Sequence, residues 1–551
     1  MSFSLAWIVL AWACCWGARS ADAMETGQFY SSLAQMEFLF DFDEGVGELL
    51  LNFPEHLPAA TRYLESYVGL RTDRDLGREI RGHPVHVFLV LKRLVLFWPR
   101  IASSLFIYTR LEGSCQDQND GCEGWALSGN CLHYRDYMIE HCTKSCHACL
   151  SPELKEQVMW VMSKASIPMP SMQDLRGAAL ALSRLQSHYH IPVGDFMTGR
   201  IEKAQCTPRL TVEDCVLVAD VTHAHGRYST AYIWYDYCQT SASIDPRLQA
   251  EIKARKEKLE AEHDLKFIAG NINFFPEPLR EKKNQVPWDS PFHQLCRGVY
   301  NQNEDKDQAG LMCYVDNRNS PYLTLQPVRY EQLHTDPEMY LFHDVVSDAE
   351  IAVLKQLAMR TLHRSVTLAS GPKHTNVTEQ RVSHTAWLRN SSHAVLERLA
   401  HRVAEVAQLE AHEELLATKE AEELQVLNYG IGGLYNAHHD VFYKNVPEYK
   451  WSEVNVYANE HQAGDRLATW MFYLSDVIAG GRTAFPDANV AVAPEKGAAV
   501  LWYNLKKNGN CNTKSLHGGC PVLLGQKWVA NRWIRENANF RRRPCSTDPM
   551  E

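Results

Sequence analysis

The sequence predicts a multidomain chain: helices first, a small cysteine-rich module set among them, and an all-β domain at the C-terminal end. Three observations carry this. Apolar residues recur at helical spacing from Phe29 to about Leu265, six cysteines crowd between Cys115 and Cys149, and short β-rich runs broken by Gly and Pro begin near Asp336. A length of 551 residues corresponds to roughly three or four domains at roughly 100–200 residues each. The 45% hydrophobic and 22% charged content excludes a mainly disordered chain. The net charge is −10 and the single basic run is Arg541–Arg543, which argues against nucleic acid as a partner.

Taking the elements in order, residues 1–23 read as a signal peptide. Phe3–Trp16 is apolar but too short to span a bilayer, and the small residues Ala18, Ser20 and Ala21 follow it. No later window supports a stable membrane span; His86–Pro99 comes nearest and is interrupted by Lys92 and Arg93. The remainder is therefore expected in the secretory pathway, where disulfides persist. Asn376-Val-Thr and Asn390-Ser-Ser are glycosylation acceptor triplets.

Residues 24–112 read as helices. Phe29, Leu33, Met36 and Phe40 share one face, as do Val85, Phe88, Leu89 and Leu94. Such stripes suit an amphipathic core or a dimerisation surface. Residues 113–150 differ in kind. A segment that short buries too little core to fold unaided, so its six cysteines are expected to staple it. Six cysteines allow fifteen pairings. Their order, with Trp125, Gly129, Met138 and Ser145, resembles the ShK toxin-like (ShKT) module, and the resemblance implies Cys115–Cys149, Cys122–Cys142 and Cys131–Cys146. Arg135-Asp136-Tyr137-Met138 stands where channel-blocking members carry a Lys-Tyr pair, so a structural or contact role is expected.

Residues 151–275 read as helical again. Asp174–His190 carries an apolar stripe, Thr211-Val-Glu-Asp is a capping box, and Arg247–Leu265 is a long charged helix. Tyr228, Tyr232, Trp234, Tyr235 and Tyr237 form an aromatic cluster, which suits either a helix-pair core or a groove for a polyproline II peptide. Residues 276–336 are expected to connect this region to the β domain at 337–551. Helices are expected there at Ser347–Thr361 and His393–Gln408, and strands at Leu424–Tyr429, Thr469–Leu474, Val490–Val492, Ala498–Tyr503 and Trp528–Trp533. That pattern suits a double-sheet jelly roll or barrel.

One constellation in that domain carries chemistry. His438 and Asp440 are two residues apart, so on a strand they would share a face, and His517 follows in KSLHGGCPV. Two imidazoles and one carboxylate on an open site suit non-haem Fe(II). Lys527, in GQKWVANRW, is placed to pair with the far carboxylate of a chelating dicarboxylate. The motifs AEELQVLNYGIGGLYNAHHD, ATWMFYLSDVIAGGRTAFP, KGAAVLWYNL and HGGCPVLLGQKWVANRWI resemble the catalytic domain of the collagen prolyl 4-hydroxylase alpha subunits. FHDVVSDAEI and RVSHTAWL extend that match upstream. GHPVHVFLVLKRL resembles the family's N-terminal domain, and AALALSRLQ and LTVEDC its peptide-substrate-binding domain.

The resemblance implies a double-stranded β-helix (jelly-roll) Fe(II)/2-oxoglutarate dioxygenase with His438, Asp440 and His517 on the metal. Lys527, Tyr429 and Thr483 would hold 2-oxoglutarate, and Tyr435, Arg466 and Trp533 would contact peptide, joined by Tyr228 and Tyr232 in the helical region. It further implies Cys296–Cys313 and Cys520–Cys545 disulfides. It implies O2 as co-substrate, L-ascorbate as reductant, and protein disulfide isomerase as the beta subunit of an α2β2 tetramer in the endoplasmic reticulum lumen. Hydroxylation of X-Pro-Gly prolines in procollagen-like chains is the expected activity. A same-fold dioxygenase acting on another residue such as lysine, or a silent collagen-binding subunit, are the alternatives. Departures from the family are Asn436-Ala437 ahead of His438 in place of Glu-Pro, the ShKT insertion, and a shortened peptide-binding region. Cys206, Cys238 and Cys511 are unassigned, and Cys215 is expected as a buried thiol.

Overall fold

A computed structural model describes residues 32–53, 58–67, 81–109, 115–165, 168–205, 209–240, 245–268, 290–300, 310–368, 375–376, 379–412, 420–441 and 463–548. The expected signal peptide, Cys206 and the side chain of Asn376 lie outside the described residues. No helix among them is long and apolar enough to cross a membrane.

Helices α1 (Leu33–Asn52), α2 (Pro58–Tyr67), α3 (Pro84–Lys92) and α4 (Trp98–Leu105) form the first body, with a π-helical turn at Arg93–Phe97 joining α3 to α4. Of the stripe predicted here, Leu33, Met36 and Phe40 are buried, Leu39 joins them, and Phe29 lies outside the described residues. That turn carries Arg93 into the core, where its guanidinium meets both oxygens of Asp43 at 2.9 and 2.7 Å.

The short helices α5 (Cys122–Leu127), α6 (Asn130–His133) and α7 (Arg135–His141) make up the cysteine-rich module. It is closed by Cys115–Cys149, Cys122–Cys142 and Cys131–Cys146. Its own core is little more than Cys122, Met138 and Cys142. Arg135 docks the module on the first body by donating to the Ser104 carbonyl at 3.2 Å.

Next come α8 (Pro152–Lys164), α9 (Met172–Tyr189), α10 (Val193–Thr198), α11 (Val212–Ala224), α12 (Tyr228–Thr240) and α13 (Pro246–Ile268). Thr211 and Asp214 form the predicted capping box, and Asp214 also pairs with Lys92 of α3 at 2.6 Å. Cys215 is bridged to Cys238 between α11 and α12, so it is not the free thiol expected. Adjacent antiparallel helices bring those two sulfurs together, a juxtaposition invisible in spacing alone.

The C-terminal domain is a pair of antiparallel sheets. The large sheet has the order β1 (Cys313–Asp316), β2 (Val328–Thr335), β3 (Glu338–His343), β11 (Ala499–Tyr503), β8 (Arg466–Tyr473), β14 (Lys527–Arg535), β6 (Leu424–Tyr429), β5 (His384–Leu388), β4 (His363–Arg364). The small sheet runs β7 (Tyr435–His438), β12 (His517–Gly519), β9 (Thr483–Phe485), β10 (Val490–Val492). A further short strand, β13 (Val522–Leu524), pairs with Ala479–Gly480. This is the predicted jelly roll, and its sheet starts earlier than expected: β1 and β2 lie inside the stretch read as a connector. Helices α15 (Asp348–Met359) and α16 (Ala394–Ala407) fall where predicted and bury Leu354, Leu396 and Leu399 under the large sheet.

Helix α14 (Pro291–Cys296) lies on the small sheet, and here the disulfides differ from expectation. Cys296 is joined to Cys520, with Cα atoms 5.5 Å apart, a separation suited to a bridge. Neither Cys296–Cys313 nor Cys520–Cys545 is present; Cys313 and Cys545 are exposed and unpaired. The reason is positional. Helix α14 seats Cys296 over the residue that follows β12, whereas Cys313 opens the outermost strand of the other sheet.

Candidate metal and co-substrate site

The small sheet presents the metal-ligand candidates. Strand β7 ends at His438, so Asp440 lies just beyond the strand and not two positions along it, as the sequence suggested. The convergence survives this change. His438 Nε2 is 3.7 Å from Asp440 Oδ1, and His517 Nε2 is 3.6 Å from Asp440 Oδ2. One donor atom from each of the three lies within 4.8 Å of the others, and among the described residues this is the one such group.

Each imidazole is oriented through its other nitrogen. His438 Nδ1 bonds the Asn436 carbonyl at 2.8 Å, and His517 Nδ1 the Ser515 carbonyl at 3.0 Å. Nδ1–H therefore donates, and both Nε2 lone pairs are left for a cation. Burial pushes His438 below its usual range, with the nearby His517 adding to the effect. Burial opposes ionisation of Asp440, yet His517, His438 and Arg466 outweigh it and hold the carboxyl below its usual range. The Thr469 hydroxyl donates to Asp440 Oδ2 at 2.7 Å and itself accepts from Asn504 at 2.9 Å. A neutral His438 and an ionised Asp440 are the protonation states that a divalent metal requires of those two groups. His439, the competing imidazole, is absent from the converging set. Phe485 and Trp502 wall His517, with ring centroids at 5.6 and 4.7 Å.

Behind this group lies Lys527, only 2% exposed. Its Nζ donates to Thr483 Oγ1 at 3.2 Å, and Thr483 also accepts from the Tyr473 hydroxyl at 2.9 Å. Among the described residues no carboxylate pairs with it. Burial alone lowers its pKa to about 7. Tyr429 is buried alongside, its ring 5.8 Å from the ammonium, and burial raises its pKa to about 12. A buried cation whose one hydrogen bond among the described residues is to a neutral hydroxyl is suited to receive an anion.

Tyr435, Arg466 and Trp533 gather at the same end of the domain. Tyr435 stacks on His438 at 3.6 Å, and Arg466 lies 3.6 Å over the Trp533 ring. Three residues that the sequence reading passed over complete this rim. Glu422 takes both Arg466 nitrogens at 2.6 and 2.7 Å, Arg381 lies 4.7 Å over Tyr435, and Thr469 holds Asp440. The motif RVSHTAWL contained Arg381, but nothing in its spacing pointed to Tyr435. Tyr228 and Tyr232 do not join the site and do not line an open groove. Helix α13 lies over them: Lys266 bonds the Tyr228 hydroxyl, Lys256 sits 4.4 Å over the Tyr232 ring, and Ile252, Leu259 and His263 are fully buried. The charged helix covers the aromatic cluster because Ile252, Leu259 and His263 fall on one side, whereas Leu265 is left exposed. Asn390 is half-buried, and its amide oxygen accepts from Arg532 at 2.7 Å.

The sequence has recognisable relatives among known proteins. The profile of the 2OG-Fe(II) oxygenase superfamily matches residues 424–535, spanning every metal and co-substrate candidate, and the ShK domain-like profile matches 114–149. Prolyl 4-hydroxylase subunit alpha-1 of Bos taurus is 28% identical over 577 residues, covering 95% of this chain and 96% of that protein. Subunit alpha-3 of Bos taurus is 34% identical over 434 residues, covering 70% of this chain and 77% of the relative. A crystal structure of the viral collagen prolyl hydroxylase from Paramecium Bursaria Chlorella virus-1 aligns with 36% of this chain and 95% of its own, at 24% identity and a TM-score of 0.27. With identity of that order along three quarters of a curated relative, and the converging side chains inside the matched segment, the chain belongs to the prolyl 4-hydroxylase alpha subunit family.

Proposed function

We propose that this chain hydroxylates C4 of proline in X-Pro-Gly segments of collagen-like chains, consuming O2 and 2-oxoglutarate and releasing succinate and CO2. The observation that carries the reading is the pairing of a two-histidine, one-carboxylate cluster with a buried ammonium that no carboxylate among the described residues pairs. His438, Asp440 and His517 would hold Fe(II), leaving coordination positions open. Bound iron would supply the activation of O2. Lys527 and Thr483 would take the distal carboxylate of 2-oxoglutarate, with Tyr429 closing the same chamber. Thr469 keeps the Asp440 carboxylate turned, and the Asn436 and Ser515 carbonyls keep both Nε2 atoms forward. Tyr435, Arg466 and Trp533 would orient the peptide at the rim, and the aromatic walls exclude water.

Ascorbate as reductant, protein disulfide isomerase as beta subunit, glycosylation at Asn376 and Asn390, and the endoplasmic reticulum lumen belong to the same proposal. The disulfides of the described residues and the apolar first residues support the compartment. The intact ligand set opposes a silent binding subunit. The deciding assay is CO2 release from labelled 2-oxoglutarate with Pro-Pro-Gly repeats against lysine-containing controls. Proline peptides should stimulate release and lysine peptides should not; the reverse would overturn the substrate. Asp440→Ala should reduce turnover to background while the protein stays folded by circular dichroism. Retained hydroxylation in that variant would overturn the metal assignment.

A further inference from the structure

Helix α9 belongs to the region read as peptide-binding, yet its C-terminal half lies against the catalytic domain. It touches the two connectors that feed the metal strands. The Arg184 side chain is 1% exposed, and its Nη1 donates to the Gly432 carbonyl at 2.6 Å. Gly432 sits in the turn between Tyr429 and β7, the strand that delivers His438. The Tyr189 hydroxyl donates to the carbonyl of Pro521, just beyond β12, which delivers His517.

The approach is too close for ordinary side chains. Gly432 has φ +64°, and a Cβ there would stand 2.8 Å from the Ala181 Cβ. Gly480 has φ +77°, and a Cβ there would meet the Tyr189 hydroxyl at 2.7 Å. The two connectors are also tied to each other. Gly432 N–H donates to the Val522 carbonyl at 2.8 Å, and Val522 N–H donates to Gly433 at 3.1 Å. Arg184 makes no ion pair with a carboxylate among the described residues. A buried guanidinium committed to a backbone carbonyl is costly for helix packing alone. That cost has a role if the carbonyl must be held in place.

We propose that Arg184 and Tyr189 are positioning residues of the metal centre. They fix the Gly432 turn and Pro521, and through them the spacing of His438 from His517. The inference rests on the reading of those residues, with Asp440, as metal ligands. The helical region would then set metal affinity from behind the site.

The test is Mn(II) binding to the full chain, with free Mn(II) counted by electron paramagnetic resonance. This readout needs no turnover. Arg184→Met should raise the half-saturating Mn(II) roughly tenfold, in the range for groups that orient metal ligands. Tyr189→Phe should raise it less. Arg184→Lys should recover part of the loss, because an ammonium can still donate to Gly432. Arg402→Met serves as the stability control; it breaks the two-pronged pair with Glu350 away from both connectors. It should lower the unfolding midpoint without moving the Mn(II) constant. If Arg184→Met and Tyr189→Phe behave like Arg402→Met, the proposal is overturned. Should Arg184→Met fail to fold, unchanged constants in both Arg184→Lys and Tyr189→Phe overturn it equally. Absence of Mn(II) binding in the wild type removes the ligand reading itself, and this inference with it.

Discussion

Two buried cations sit in different parts of the molecule and are treated in opposite ways. Arg93, in the first helical body, is 0% exposed and completely answered. Both Asp43 oxygens accept from it, the Ser66 carbonyl accepts a third bond at 2.8 Å, and the Tyr63 hydroxyl supports Asp43 at 2.6 Å. Lys527, in the jelly roll, is 2% exposed and among the described residues bonds one neutral hydroxyl. A buried charge that is fully paired is part of the fold. One without a carboxylate is a cost that the fold bears and that a bound anion would relieve.

The contrast can be broken most forcefully at the paired site. Asp43→Ala leaves Arg93 buried without its carboxylate, which should cost about 3–5 kcal/mol of stability. Urea unfolding should show this as a lower midpoint, while 2-oxoglutarate half-saturation in the surviving folded protein stays as in wild type. A silent Asp43→Ala would mean that the pair is decorative.

At the unpaired site the effect should appear in the ligand and not in the fold. Lys527→Ala should weaken 2-oxoglutarate by about 2–5 kcal/mol, roughly thirty- to several-thousand-fold. The unfolding midpoint should hold or rise, because an unanswered charge has been removed. Lys527→Arg should also impair, since a planar fork needs more room than an ammonium. Unchanged half-saturation in Lys527→Ala would remove this residue from the site.

Acidity sharpens the same distinction. Burial brings Lys527 to about 7 in the free protein, and a bound dicarboxylate would favour the charged form and raise that value. Affinity that depends on the ammonium is therefore full below about 7 and declines as pH rises through it, by up to about tenfold per pH unit. Titrating 2-oxoglutarate from roughly pH 6 to 9 should show the decline in wild type and a flat profile in Lys527→Ala.

The smallest effect belongs to Thr469→Val. It removes the hydroxyl that turns Asp440 and should weaken metal binding by about tenfold. An effect confined to peptide half-saturation would place Thr469 in substrate recognition instead.

How much of this was legible follows from distance along the chain. Local signals were readable: the Thr211 capping box, the stripe on α1, the strands around Trp470 and Trp528, and the crowding of six cysteines. The converging cluster was readable from the order of His438, Asp440 and His517, although β7 stops before Asp440. What was hidden lay between distant segments. Nothing in the charged run 247–265 shows that Ile252, Leu259 and His263 fall on one side and cover Tyr228. No local cue brings Glu422 to Arg466, Arg184 to Gly432, or Cys296 to Cys520. The connector reading failed for the same reason, because β1 and β2 are strands only in the company of β3.

The Cys296–Cys520 bridge has a consequence for biosynthesis. Its two sulfurs are 224 residues apart in sequence. At ribosomal rates of about 5–20 residues per second, Cys296 is extruded roughly 10–45 s before its partner exists. Throughout that interval Cys313 is at hand, and Cys545 is made soon after Cys520. The nascent chain thus meets a near, wrong thiol before the distant, right one. Its yield should depend on how fast a mispaired Cys296 can be released and offered again to the strand end that carries Cys520.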